Sequence, residues 1–528
     1  MPGTSRARDK ARPGKREGQA PDEVMDLKAA ADFLKVSKPT FYRWLAQGKI
    51  QGFKAGQQWR FYRRDLEKFL ETEEPMVLQV GVDELEQAVR EARKARGLAP
   101  IEWNEPGQLL APPSDSETAE ENAIPRIVNT IIADAIDGRA SDIHIDGNAD
   151  GAPIRYRIDG VLTEAMTVPR KAQTAIVSRL KLMAECDISE RRVPQHGRIH
   201  VKHHGREYDL RVTSVPAVFG ESAIMRILDQ SSVLIGPDKL GLSGSVRQAF
   251  ERKLREAQGL IIVTGPSGSG RTTTLYSALN LINSPQKKTV TIEDPVEYRL
   301  RGVMQVQVNR KAGLTFAAGM RTFLRCDPDI IMVGELHDLE TAEICTQAAM
   351  TGHIVLTTML PPDSVSVITR LLDMGVEPFL VSASLSAVLA QRLLRKVCPS
   401  CKTEYRPSAA VLGRLGLADV GRGCPSPPPS SAGLGKPALQ VARTKFYRGG
   451  GCERCLHNGY YGRTGVFELL EMNERLREVV ARRAAADELR AAAVEGGMVP
   501  MLQDGLEKAK QGVTTVEELM RVVTLYHG

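Results

Sequence analysis

The chain has 528 residues, 42% of them hydrophobic and 26% charged, with a formal net charge of +7. A single hydrophobic core stops growing at roughly 250–300 residues, so several domains are expected. No run approaches the roughly 18 consecutive apolar residues of a membrane-spanning helix, and the charge is too modest for this size to argue for nucleic acid by itself.

The first 20 residues carry Arg6, Arg8, Lys10, Arg12, Lys15 and Arg16 without the apolar run of a secretory signal. They read as a disordered basic tail (1–20), and the protein is expected in the cytoplasm, reaching a membrane only through partners. In residues 21–70, Leu27, Ala30, Ala31 and Leu34 recur at helical spacing, and Val36-Ser37 marks a turn. Ser37 would cap a second helix over 38–46. Phe53, Trp59 and Phe61 alternate about a turn at Ala55-Gly56, which predicts a two-stranded wing. The segment resembles the excisionase-like winged helix-turn-helix domains related to the mercury-resistance regulators. That resemblance implies Lys38, Thr40, Tyr42 and Arg43 at a DNA major groove, with Lys54 and Arg60 near phosphates. A helical docking module that keeps the fold without DNA is the competing expectation. Residues 71–122, with Pro106, Pro112, Pro113 and one helical stretch near 85–96, read as a linker.

The apolar run Leu260-Ile261-Ile262-Val263 leads directly into GPSGSGRTTTLYSAL. Strand, glycine loop, helix is the expected order. Gly265, Gly268 and Gly270 let the backbone of Gly265, Pro266, Ser267, Gly268, Ser269, Gly270, Arg271, Thr272 and Thr273 curl so that its N–H groups face inward. The helix adds the positive end of its dipole, completing a nest for ATP phosphates. The spacing is that of GxxxxGK[ST] with Arg271 in the lysine position, and Thr272 would ligate Mg²⁺. Three more buried strands are predicted. Thr289-Val290-Thr291-Ile292 ends in the acidic cluster Glu293-Asp294-Pro295-Val296-Glu297. Ile330-Ile331-Met332-Val333 runs into Gly334-Glu335, suited to hold Mg²⁺ or a catalytic water, and Ile354-Val355-Leu356-Thr357 follows Thr351-Gly352-His353.

These segments carry a second resemblance, to the hexameric P-loop ATPases of type II secretion and type IV pilus assembly. TIEDPVEY is similar to the family's Asp box, DPDIIMVGE to its Walker B segment and TGHIVLTT to its His box. Upstream, ASDIHIDG, RYRIDGVL, VPQHGRI, DLRVTSVP and ESAIMRIL resemble the preceding α/β lobe. The resemblance implies an α/β fold in which a smaller lobe (123–230) precedes a RecA-like P-loop core (231–390). It implies ATP and Mg²⁺, a homo-hexameric ring, and an inner-membrane platform protein as partner. Glu293 and Glu297 would serve the Asp box, Glu335 the Walker B role and His353 the sensor, while Arg211 and Arg226 would reach the phosphates across lobes.

The chain departs from the pattern at Arg271, at His337 where the family has arginine, at Leu360 where it has a second histidine, and at His196 where it has aspartate. A planar fork in place of an ammonium changes geometry more than charge. Slow hydrolysis and nucleotide binding with little turnover are both open at this point. So is a nucleotide-sensing oligomer acting as a DNA-linked regulator or scaffold.

Residues 391–470 hold Cys398-Pro-Ser-Cys401 and Cys452-Glu-Arg-Cys455, two pairs each suited to half of a tetrahedral site, separated by a Pro/Ser-rich stretch (421–437) containing Cys424. Structural Zn²⁺ is expected over redox-active dithiols, because the flanks resemble a zinc ribbon. Residues 471–528 read as helical, broken at Gly496-Gly497 and Gly512, with Thr514-Thr515 capping the last helix.

Overall fold

The computed structural model describes residues 24–33, 45, 50, 52–55, 58–63, 65–66, 87, 91, 123–229, 236–408, 411, 413 and 445–523. The chain divides into two compact units, Met1–Gly81 and Val82–Gly528.

In the first unit, β1 (Val24–Asp26), β2 (Phe53–Ala55) and β3 (Gln58–Tyr62) form an antiparallel sheet in the order β1-β3-β2. The pairing of Ala55 with Gln58 closes the β2–β3 hairpin where the alternation predicted a wing. Asp26 accepts from the backbone N–H of Ala29 at 2.8 Å, starting the helix Leu27–Phe33. Phe61 is fully buried against Ala30, Ala31, Ile50 and Leu66. Gly52 lies under that ring, since a Cβ there would come within 2.5 Å of it. Of the residues expected to face DNA, Lys38, Thr40, Tyr42 and Arg43 lie outside the described residues.

The second unit opens with a lobe built on β4 (Ala140–Ile145), β5 (Ala152–Ile158), β6 (Val161–Val168), β7 (Gln195–His203), β8 (Arg206–Ala217) and β9 (Gly220–Asp229). These pair antiparallel in the order β6-β5-β4-β9-β8-β7. Burial alternates along β5, as it does in a sheet with one covered face. The helices Ala123–Asp137 and Arg170–Met183 pack against it. Tyr156, buried, donates its hydroxyl to the carbonyl of Ile131 at 3.0 Å and ties the first helix to the sheet.

The larger lobe contains β10 (Gly259–Thr264), β11 (Thr289–Glu293), β12 (Val303–Gln307), β13 (Ile330–Val333), β14 (Ile354–Met359), β15 (Leu385–Val397), β16 (Lys402–Tyr405), β17 (Phe446–Gly449) and β18 (Tyr460–Glu471). Seven of them form one sheet in the order β12-β11-β13-β14-β10-β15-β18, parallel except for β18. Every residue of β10, β11, β13 and β14 is buried. That is the signature of a parallel sheet covered on both faces, and it is why these strands read as unbroken apolar runs. The chain leaves β10, fills the β14 side of the sheet, and then returns to place β15 on the other side. Ligands of such sheets bind at the carboxyl ends beside this switch in direction.

The sheet runs past residue 390, the boundary expected from sequence between core and cysteine module. β15 continues to Val397 and pairs with β18, so the module is an insertion between two core strands, with β16 and β17 as its hairpin. The helices Glu474–Ala481, Ala486–Glu495, Met501–Lys510 and Val516–Val523 complete the lobe. The last begins as expected: Thr515 Oγ1 accepts from the N–H of Glu518 at 3.0 Å.

Among the described residues, polar and ring contacts join the two lobes in two regions. Arg211 on β8 pairs with Glu297 at 2.8 Å. Elsewhere, Asp159 accepts from the N–H of Gly462 at 2.9 Å, and the Arg139 guanidinium lies 3.6 Å from the centre of the Tyr461 ring. Arg454, from the cysteine module, lies 4.7 Å from that same centre.

Glu518 is fully buried and pairs with Arg395 and Arg521, each at 2.7 Å. Burial works against its ionisation, but hydrogen bonds from both arginines outweigh it and hold its pKa below the ordinary value. Glu518→Gln is expected to destabilise by about 3–5 kcal/mol at pH 7, because it strands two cations. A depressed folded pKa means the wild-type advantage is complete above the unfolded value of about 4.3 and fades as pH falls through the folded one. Urea midpoints of both proteins at pH 7 and pH 3 should converge at the lower pH.

Candidate active site

β10 ends at Thr264, and the chain turns through Gly265–Gly270 into the helix Arg271–Ile282. Gly265, Gly268 and Gly270 have φ of 148°, 77° and 88°. A Cβ on Gly265 would sit 2.5 Å from the Gln391 carbonyl, and one on Gly270 2.7 Å from the Gln391 amide nitrogen. Glycine is therefore required at both positions by conformation and by space. Gln391 holds the loop from β15: its amide donates to the Ser269 carbonyl at 2.7 Å, and its oxygen accepts from Thr274 at 2.6 Å. Arg392 donates to the Pro362 carbonyl at 2.6 Å, fixing the segment after β14.

The loop suits a polyphosphate on an observation independent of its sequence. The Ser269 hydroxyl is buried with no hydrogen-bond partner among the described residues, a cost that an anion in the loop would relieve. The first turn of the helix contains no acidic side chain to compete for that place. Thr272 is exposed, and Glu335, at the end of β13, is about a quarter exposed, so both are accessible to a metal ion.

Arg271 is half-buried and folds back over the loop, donating to the carbonyl of Gly265 and, at 3.0 Å, to that of Met359. Burial lowers its pKa from the ordinary value against the opposing charge of Glu335. One Arg271 nitrogen thus ties the glycine loop to the end of β14, while a lysine would present three rotatable N–H groups to the phosphates.

Glu293 and Glu297 have different surroundings. Glu293 is buried and accepts hydrogen bonds from Tyr276, from Thr291 at 2.6 Å and from Gln305 at 3.1 Å. Burial, then the hydrogen bond and charge of Glu293, push the Tyr276 phenol up, so it remains a neutral donor. A carboxylate committed to three donors positions the strand end rather than abstracting protons. Glu297 is partly exposed and forms a bidentate pair with Arg211, at 2.8 and 3.2 Å. Beside this pair a cavity of 730 Å³ opens between the lobes, lined by Arg198, Asp209, Glu297 and Arg301 among others.

Arg226 does not cross between lobes here. It is two-thirds exposed and pairs with Asp142 of its own sheet at 3.0 Å, although it stands in register beside Arg211. His353 is not brought to the loop either. It precedes β14, its carbonyl accepts from Gly259 at the opposite end of β10, and its Nδ1 lies 2.9 Å from the Ala348 carbonyl. Six strand residues put it about 20 Å from the Met359 end. A histidine before a parallel strand lies at the amino edge, away from phosphates. The position that does reach the loop edge is Leu360, half exposed. His337 lies 3.4 Å from Glu335, and His196 lies 3.1 Å from the Thr213 hydroxyl in the smaller lobe.

The four cysteine sulfurs converge: Cys398–Cys452 and Cys401–Cys455 are 3.8 Å apart and Cys452–Cys455 3.7 Å. Four Zn–S bonds of about 2.3 Å in a tetrahedron require sulfurs about 3.8 Å apart, so the set fits zinc without rearrangement. The N–H groups of Cys452 and Gly459 point at Cys455, at 3.2 and 3.3 Å. Burial raises the Cys455 pKa, but these N–H groups and the neighbouring thiols prevail and bring it down to about 7.

Sequence reasoning missed Gln391, Tyr276 and Gln305. Gln391-Arg392 does interrupt the apolar run of β15, a polar pair that could have been noticed.

Residues 117–521 match the family described as type II/IV secretion system protein, and residues 24–74 a helix-turn-helix domain. Over 407 residues the chain is 42% identical to the type II secretion system protein E of Pseudomonas aeruginosa, covering 77% of this chain and 76% of that protein. It is also 42% identical to the type IV pilus assembly ATPase PilB of Thermus thermophilus, over 76% of this chain and 43% of that protein. The fold is that of the ATPase DotB of Yersinia pseudotuberculosis, at a TM-score of 0.54 and 18% identity over 81% of this chain and 99% of that one. With the glycine loop at the switch point of its parallel sheet and this degree of kinship, the chain belongs to the type II/IV secretion system protein family as a P-loop ATPase.

Proposed function

We propose that this chain is the ATP-hydrolysing motor of a type II secretion or type IV pilus assembly system, working in the cytoplasm as a homo-hexamer against an inner-membrane platform protein. The observation that carries this is the glycine loop at the end of β10, whose Ser269 hydroxyl is buried without a hydrogen-bond partner among the described residues, with Arg211 of the other lobe paired to Glu297 beyond β11. Kinship with secretion and pilus-assembly proteins supports the same reading.

ATP phosphates would lie on the backbone N–H groups of the loop, stabilised by the helix amino terminus. Thr272 and Glu335 would hold Mg²⁺, which neutralises phosphate charge when bound. Glu335 is the carboxylate best placed to orient the attacking water, since Glu293 is committed to Tyr276, Thr291 and Gln305. Arg211 now neutralises Glu297 across the lobes. A phosphate offered to Arg211 competes with that carboxylate, so the charge of the nucleotide sets which contact joins the lobes. This exchange is how hydrolysis becomes interlobe movement. Arg226 would join it by leaving Asp142.

Turnover is expected to be slow, because Arg271 is committed to two carbonyls and Leu360 brings no polar group to the loop edge. Zinc in the cysteine module would brace a protrusion, with no open position for catalysis.

The decisive measurement is phosphate release by purified protein with ATP and Mg²⁺. Glu335→Gln should abolish release while ATP still binds; a wild type no faster than this variant sinks the motor reading. Arg211→Ala is expected to slow turnover by about 10²–10³-fold, the usual effect of removing one preorganised group that stabilises developing negative charge. Arg271→Lys should speed it several-fold. Metal analysis is expected to find one tightly held zinc per chain, lost in Cys398→Ser together with a lower Tm.

A further inference from the structure

The hairpin joining β7 to β8 turns at His204 and Gly205, with His203 paired to Arg206. Both turn residues are left-handed, with φ of 46° and 75°. Along an extended strand neighbouring side chains point to opposite faces, so His203 and His204 would normally diverge. The left-handed turn brings them together instead, with ring centres 4.0 Å apart. Both face one carboxylate oxygen: Oδ1 of Asp137 lies 2.7 Å from Nε2 of His203 and 3.5 Å from Nε2 of His204. One ligand atom from each of the three residues lies within 4.8 Å of the other two. Among the described residues only the four cysteines form another such group.

The electrostatic setting also favours a cation. Asp137 is the last residue of the helix Ala123–Asp137, whose final turn carries no basic side chain. The carboxylate therefore adds to the negative end of the helix dipole. His203 is almost fully buried, Asp137 partly exposed and His204 largely exposed, so the group has a fixed inner side and an outer side open to water.

We propose that His203, His204 and Asp137 form a binding site for a divalent transition-metal ion of the zinc class, in the smaller lobe and separate from the cysteine module. Two imidazoles and one carboxylate suit Zn²⁺, whereas Mg²⁺ and Ca²⁺ prefer sets made of oxygen. Ligands about 2.0–2.2 Å from a tetrahedral ion stand about 3.3–3.6 Å apart, so the His204–Asp137 contact of 3.5 Å already fits, while the His203–Asp137 hydrogen bond of 2.7 Å must open by about 0.6 Å to admit the ion. The Nδ1 atom of His203 is buried with no hydrogen-bond partner among the described residues, so these supply no acceptor of the kind that reinforces tight histidine–zinc sites. The ion is consequently exchangeable, held in the micromolar range. When bound, it ties the end of the first helix of the lobe to the tip of the β7–β8 hairpin.

The test is calorimetric titration with Zn²⁺ of full-length protein already carrying its cysteine-bound zinc. One further equivalent per chain is expected. His204→Ala and Asp137→Asn should each weaken it by at least about tenfold, as loss of a ligand does. His200→Ala changes an exposed histidine of the same strand that pairs with Asp209, and should leave the affinity within about twofold. His204 is exposed, so its variant should keep the wild-type Tm without added metal, separating lost ligation from lost folding. No further equivalent, or one indifferent to both His204→Ala and Asp137→Asn, overturns the site.

Discussion

β10 has a parallel neighbour on each edge, and all six of its residues are buried. Its backbone N–H and C=O groups must pair with β14 and β15, which leaves the chain a single exit at the carboxyl end of the sheet. There it meets the carbonyl and amide of Gln391, and residues lacking a Cβ are the only ones that pass. The nest of N–H groups, the direction of the following helix and the placing of Glu335 at the end of β13 all follow from this crowded exit. Gln391, donating to the Ser269 carbonyl and accepting from Thr274, then holds the shape of the loop. Preorganisation of this kind lowers the cost of binding, because the loop need not be ordered by its ligand.

Charge is distributed around that exit so that each carboxylate has a different freedom. Glu293 is consumed by neutral donors, Glu297 by an arginine of the other lobe, and Glu335, among the described residues, faces an imidazole at 3.4 Å and the nearby Arg271. Three acids that look alike in the chain thus divide into one held inside the core by neutral donors, one paired across the lobe junction and one left partly exposed beside Arg271. The arginine in the loop belongs to the same economy of contacts, since it ties β10 to β14 where a lysine would remain mobile.

The four central strands were legible because parallel strands buried on both faces leave uninterrupted apolar runs. The cysteine quartet was legible because its spacing carries the geometry of the site. The wing was legible from Phe53, Trp59 and Phe61. β15 was not, because Leu385–Val397 is long, apolar and lacks alternation, so its period distinguishes neither helix nor strand. Its assignment rests on pairing with β10 and β18, which are distant in sequence. The position of His353 was hidden for a related reason: a motif gives order along the chain but not which end of a strand faces the ligand. The division of labour among the acids was equally invisible, since it depends on Tyr276 and Gln305, seventeen and twelve residues from Glu293.

Tyr461 lies between Arg139 of the smaller lobe and Arg454 of the cysteine module, at the start of a strand that belongs to the central sheet. Each such cation–π contact is worth about 0.5–2 kcal/mol, enough to transmit a tilt without locking the parts together. The smaller lobe, the central sheet and the cysteine module are thus joined through one aromatic ring, as a tiller and a rudder share one post.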